Sequence, residues 1–164
     1  MDGALIAAIS TLCAAGVAIA LAVRQPLRRL RRANEEASAR TAFRQQREVL
    51  EAKFFDLAAR SGKPRGLKWI DVEFLDDLGF ARDRQTGLLA AFVSVNIRFE
   101  AIPGGDMEDV AAVGNVRDAC ALFHYEAGGW GTGGKTLFNV SPREAIARFH
   151  TQFEPLAESV VPAV

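Results

Sequence analysis

The hydrophobic pattern along the chain changes period as it goes, and each period names an element. Gly3 to Val23 is an unbroken run of 21 uncharged residues. A helix that is apolar all round and this long has the mark of a membrane span rather than of a surface helix. A second helical stretch follows, opened by Asn34, Glu35 and Glu36 as a cap with two acids at the positive end of the dipole. Phe43, Leu50, Phe54, Leu57 and Ala58 recur on one face of it, and Gly62 and Pro64 stop it. From residue 67 the period falls to two, with Ile70, Val72 and Phe74 alternating with Asp71 and Glu73. Asp83-Arg84-Gln85-Thr86-Gly87 is a turn. Leu88 to Ile102 is a long strand whose Val93, Val95, Ile97 and Phe99 oppose Ser94, Asn96, Arg98 and Glu100. Pro103 to Asp106 breaks it. Val116 to Glu126 is the next strand, Gly128-Gly129 a hairpin signal, and Trp130 to Val140 the partner strand. Ser141-Pro142-Arg143-Glu144 predicts a helix start in which Ser caps, Pro takes the first helical position and Glu144 closes a capping box. Ile146, Phe149 and Phe153 form the stripe of that helix to about Glu154, ahead of Pro155 and Pro162.

At about 1.5 Å per residue the first run is roughly 31 Å long, the thickness of a bilayer's hydrocarbon core. Its eight Leu, Ile and Val residues favour insertion by about 2.4 to 4.8 kcal/mol. A cleavable leader is the rival, because Ala20-Leu21-Ala22 has the A-x-A form. Against it, the amino end carries Asp2 and no Lys or Arg, and the run is long for a leader core. Arg24, Arg28, Arg29, Arg31 and Arg32 follow at once. The positive-inside rule then places the carboxyl side in the cytoplasm and Met1 outside, with the arginines at the height of anionic headgroups. Gly16 and Ala20 form a small-residue pair of the kind that packs two spans together.

The chain thus divides into a transmembrane anchor (1–24), a basic juxtamembrane helix or stalk (25–63), an antiparallel α+β domain (64–154) and a disordered tail (155–164). The expected fold class is α+β: an N-terminal transmembrane helix, a long juxtamembrane helix, a four-stranded antiparallel meander and a C-terminal helix. The Phe43, Leu50, Leu57 spacing also fits a heptad repeat, but over about two heptads only. That face is read mainly as packing on the chain's own sheet and secondarily as a dimer seam. A long helix followed by a four-stranded meander, over roughly residues 34 to 140, resembles the cystatin-like and NTF2-like group of folds, in which a curved sheet wraps a helix. The resemblance lies in element order. Those folds host inhibitors, binding cups, enzymes and assembly domains alike, so it implies a fold and leaves the function open.

Charge adds to the picture by its distribution. The net charge is zero, yet residues 24–63 carry eleven Lys and Arg against five acids, and residues 64–164 carry nine against fourteen. A basic stalk and an acidic head argue against nucleic acid, which selects a basic surface. Cys13 lies in the span and Cys120 stands alone in the head, so the head forms no internal disulfide, as suits a reducing compartment. His124 and His150 are too few and too far apart for a metal signature, and no metal or cofactor is expected.

Candidate chemistry is thin. Gly129-Trp130-Gly131-Thr132-Gly133-Gly134-Lys135-Thr136 matches the phosphate-loop pattern G-x-x-x-x-G-K-[ST]. Such a loop must open a helix, and Thr136-Leu137-Phe138-Asn139-Val140 is strand-prone, so a glycine-rich hairpin is the better reading. Asp106, Glu108 and Asp109 lack calcium-loop spacing and read as a solvated run. Asp76 and Asp77 read as turn residues. The row Ser94, Asn96, Arg98 and Glu100 shares one strand face. It is ordinary surface if that face is wet, and the lining of a binding cup if the sheet curls, with Asn96, Arg98, Glu100 and His124 as ligand-binding residues. The first expectation is therefore a membrane-anchored, cytoplasm-facing, non-catalytic interaction or assembly module, whose partners are the bilayer and a protein or a second copy. The alternative is a cup-shaped small-molecule-binding or enzymatic domain, and the remote one a nucleotide site at Gly129–Thr136.

Overall fold

The computed structural model describes the backbone of residues 2–61 and 66–157, and the side chains of residues 24–60 and 66–157. The expected span at Gly3–Val23 thus lies outside the residues whose side chains are described, as do the Gly62-Pro64 helix stop and the tail beyond Ala157. Among the described residues, no helix is long and apolar enough to cross a membrane.

The protein is α+β, with two α-helices and a six-stranded antiparallel sheet among the described residues. Helix α1 runs from Asp2 to Ser61 with Pro26 inside it. The expected second start at Asn34 is therefore not a boundary. A cap sequence starts a helix only where the chain before it is non-helical, and the alanines around Asn34 favour continuation. The chain divides into two compact units, Met1–Arg40 and Thr41–Val164. The first is helical, and its Arg24, Arg28, Arg29, Arg31 and Arg32 are exposed.

The second unit holds the sheet. Strands β1 (Leu67–Asp83), β2 (Leu89–Ala101) and β3 (Arg117–Glu126) form the consecutive antiparallel core. Between β2 and β3 lies a short 3-10 turn at Ala111–Gly114. The expected fourth strand, Trp130–Val140, is broken in two. Strand β4 (Gly129–Gly131) pairs with residues 124–126 of β3, and β5 (Thr136–Phe138) pairs with residues 119–121. The glycine-rich loop between them repairs the gap: Thr132 Oγ1 donates to the Leu122 carbonyl at 2.9 Å, and the Leu122 amide donates to the Lys135 carbonyl at 3.1 Å. The hairpin turn is centred on Ala127 and Gly128, both at positive φ (52° and 83°), one residue earlier than the glycine pair suggests. Two positive φ values give the twist that a two-residue hairpin favours.

Parity along β2 assigns the faces. Odd residues Val93, Val95, Ile97 and Phe99 are buried, on the side covered by residues 41–61 of α1. Phe43 meets Phe80, Phe123 and Trp130 edge-on, at centroid distances of 5.8, 5.4 and 5.0 Å, and Phe54 meets Phe74 and Phe123 at 5.7 Å each. Such pairs add about 0.5–1.5 kcal/mol each beyond area burial. With Leu50 and Ala58 also buried, the heptad-spaced stripe at Phe43 and Leu50 is consumed within its own domain. Gly134 shows how close helix and sheet come. A Cβ there would sit 2.5 Å from the Ala58 nitrogen, and its φ is +72°.

The opposite face is covered over one end only. Helix α2 (Pro142–Arg148) begins as expected: Ser141 accepts from the Glu144 amide, and the Glu144 carboxylate takes the Ser141 amide in a capping box. It ends at Arg148, short of the expected Glu154. Phe153–Pro155 is strand β6, paired with Ala81–Asp83 of β1, and the Leu156 amide donates to the Phe80 carbonyl. Pro155 thus belongs to the sheet rather than to a tail. Phe153 leaves the helical stripe and is buried with Ala81, Ala90, Phe92, Cys120, Leu122 and Ile146. No polar or charged residue is buried among the described residues.

Strand β1 carries two irregularities, at Trp69/Asp71 and at Phe74/Leu78. At the first, Ile70 is the extra residue. Trp69, Val72 and Phe74 then oppose Phe99, Ile97 and Val95, while Ile70 is 46 % exposed. The expected Ile70, Val72, Phe74 alternation is therefore out of step at its first residue, because a bulge shifts side-chain parity by one. The second holds Asp76 and Asp77, which lie within the strand and not in a turn.

Candidate functional site

The polar row of β2 meets a matching row on its neighbours. Register places Lys68 opposite Glu100, Asp71 opposite Arg98, and Glu73 opposite Asn96, with Asp118 on the far side of Asn96. The Asn96 amide donates to Glu73 Oε2 at 3.1 Å. Arg98 and Glu100 are exposed, and Ser94 and Asn96 half-buried. Opposite charges directly across a ladder are mildly favourable, so the row forms a cross-strand set of complementary partners on an open face. His124 is on the same face but opposite Ala90. Arg98 is eight residues further along β2, roughly 26 Å at 3.3 Å per residue. The four residues expected to share a cup are not brought together.

His124 borders an open cleft of about 400 Å³ lined by Glu126, Trp130 and Thr132 among others. Burial lowers its pKa, and the positive charge of Lys135 lowers it further, against Asp83 and Glu126. It is therefore held neutral at pH 7. Cys120 lies beneath α2, and burial pushes its thiol up to about 12. A thiol so placed is protonated and unreactive at neutral pH.

The phosphate-loop pattern folds as β4, a loop and β5. Thr136 begins a strand, so no helix N-terminus faces the loop, and the Gly134 amide is used by Thr132 Oγ1 at 3.0 Å. The last glycine of the motif owes its place to Ala58, as described above. In the acidic run, Glu108 Oε2 accepts from the Gly104 amide at 2.8 Å and ties the turn. Among the described residues, no cluster of His, Cys, Asp and Glu has a metal-binding arrangement. Arg24, Arg28, Arg29, Arg31 and Arg32 are all exposed on α1.

One surface was not read from the sequence. Strand β6 pairs with residues 81–83 of β1. Among the described residues, the stretch from Ile70 to Phe74 has β2 as its strand neighbour on one side and none on the other. Beside that edge, between β1 and α1, runs an open groove of about 410 Å³. Half-buried Phe55, Val72 and Phe74 and exposed Ile70 give it an apolar floor, and Glu48, Glu51 and Asp71 are its charged lining residues. Arg47 pins the far end. Its Nε donates to Glu51 Oε1 at 2.7 Å, its Nη2 to the Leu75 carbonyl at 2.8 Å, and its Nη1 lies 3.3 Å from Asp76 Oδ1. Glu51, first among these, holds the guanidinium's pKa above its ordinary value. The Leu75 carbonyl lies within the second bulge, and Arg47 supplies it a partner from outside the ladder. Alternation alone hides this edge, because whether a strand is central or peripheral is decided by where β6 stops.

Comparison with known protein families, curated proteins and solved structures finds no match.

Proposed function

We propose that this protein is anchored in a membrane by its amino-terminal segment and holds an α+β interaction or assembly domain at the cytoplasmic face, without catalysis of its own. The observation that carries the anchor is the run of 21 uncharged residues followed within nine positions by five arginines, all exposed along α1. That charge asymmetry orients a single span with its basic flank inside, and each arginine adds about 1 kcal/mol of attraction to an anionic surface. The head offers a surface suited to a protein partner, the groove along the β1 edge. Its remaining polar rows are matched among themselves. A helix followed by consecutive antiparallel strands is also the element order behind the resemblance to cystatin-like and NTF2-like folds.

Protease accessibility of a carboxyl-terminal tag tests the topology. The tag should survive in intact cells and be lost after permeabilisation, with the protein sedimenting in membranes through alkaline extraction. Cleavage from outside intact cells, or mature protein trimmed near Ala22, would overturn it. A second reading, small-molecule binding in the cup manner, is favoured only by neutral His124 at its cleft. Arg98 and Glu100 lie too far along β2 to join it.

A further inference from the structure

The β1 edge and its groove suit an added strand. We infer that residues Ile70–Phe74 receive an extended, basic segment of a partner protein, in which Lys or Arg alternates with Val or Ile. The inference rests on the interaction-module reading and names the chemistry of its partner. An open strand offers main-chain donors and acceptors to any extended peptide, and the pockets beside it decide which peptide. Here the apolar floor of Phe55, Val72 and Phe74 lies beside the strand, so alternate partner residues are apolar. The intervening ones point to the other face of the sheet, where Asp71 and Glu73 are exposed, while exposed Glu48 borders the apolar floor on the α1 side. Arg47, which reaches this edge from α1, is already engaged by Glu51, Asp76 and the Leu75 carbonyl. The edge therefore presents an acidic surplus around an apolar strip, with Glu48, Glu51, Asp71, Glu73 and Asp76 set against Arg47, Lys68 and, across the ladder, Arg98.

The same features reject a second copy. Edge-to-edge pairing of two β1 strands would set Asp71, Glu73, Asp76 and Asp77 of each against those of the other, and like charges across a ladder are destabilising. Charged residues and bulges on an edge commonly serve to prevent self-pairing. A basic strand turns the repulsion into attraction, and the bulges bound the register it can take.

The test uses the full chain in mild detergent and a fluorescent octapeptide of alternating Lys and Val. Saturable binding by anisotropy is expected, weakened at least tenfold in the double variant Glu48→Lys/Asp71→Lys. Both positions are exposed, and an unchanged denaturation midpoint checks that the variant folds. The peptide N-methylated at alternate residues keeps its charge but loses the donors of one edge, and it should not bind. No saturable binding, binding that survives N-methylation, or a double variant as tight as the parent would each overturn the inference. Peptide binding with a tag exposed outside the cell would instead sink the topology and leave the edge standing.

Discussion

The two faces of the sheet are built from the same strands and covered by different means. On one, residues 41–61 of α1 lie across odd-numbered β2, and three aromatic rings converge on Phe43 alone. On the other, even-numbered β2 changes character midway: Ala90 and Phe92 are buried with α2 and β6, while Asn96, Arg98 and Glu100 face Glu73, Asp71 and Lys68 across the ladder. The change from apolar to polar follows the reach of a seven-residue helix. A polar row on a strand is thus a record of coverage before it is a hint of ligand. The lesson extends to β1, which over Ile70–Phe74 has no strand neighbour on its outer side among the described residues.

The helix-covered face should be the costly one to disturb. Phe54→Ala removes a fully buried ring that touches Phe74 and Phe123 and should cost about 3–5 kcal/mol. Denaturant unfolding followed by the fluorescence of Trp69 and Trp130, both buried, reads it directly. Gly134→Ala comes next. It puts a methyl group against the Ala58 backbone, where neither partner is a flexible side chain, and holds a non-glycine residue at positive φ. Overpacking and the left-handed penalty together amount to roughly 2–5 kcal/mol. An unchanged midpoint for either variant would mean that α1 does not seat on the sheet as described.

The partly covered face should yield smaller losses. Ser141→Ala removes the cap of α2, at about 1 kcal/mol; a loss as large as that of Phe54→Ala would abolish the contrast between the faces. Acid should act here too. The Asp83 carboxylate takes the Gln152 side chain at 3.0 Å and the Gln85 and Thr86 amides at 2.8 and 2.9 Å. These bonds, that from Gln152 first, hold its pKa below the ordinary 3.8. A carboxylate with a depressed folded pKa contributes stability above its unfolded value, and that stability is lost as pH falls through the folded one. Unfolding midpoints should therefore fall below about pH 4, and less steeply in Asp83→Asn. A variant with an equally steep acid limb would remove Asp83 from that account.

How far the sequence spoke follows from the range of the signals. Period two and period 3.6 are local, and they located α1 over 43–58, strands β2 and β3, and the capping box of α2 within a residue or two. What they missed depends on distant neighbours. Phe153 fits a helical stripe, yet it leaves the helix because an open stretch of β1 at Ala81–Asp83 offers strand pairing and Phe92 a ring 5.1 Å away. Ile70 fits an alternation, and a bulge removes it. Gly134 fits a phosphate loop, and the passing backbone of α1 explains it better. The β1 groove was invisible for the same reason, since an edge is defined by the strand that is missing beside it.

The smallest effect expected is the most decisive for the polar row. Arg98→Ala with Glu100→Ala removes two exposed side chains from cross-strand pairs worth a few tenths of a kcal/mol each. Their partners Asp71 and Lys68 are exposed as well, so no charge is left stranded in a dry site. Stability should move by less than about 0.5 kcal/mol, and partner capture by the full chain should be unchanged. If the row instead lined a cup, the same variant would release a bound small molecule, detectable by mass spectrometry of the purified chain, while leaving the denaturation midpoint where it was.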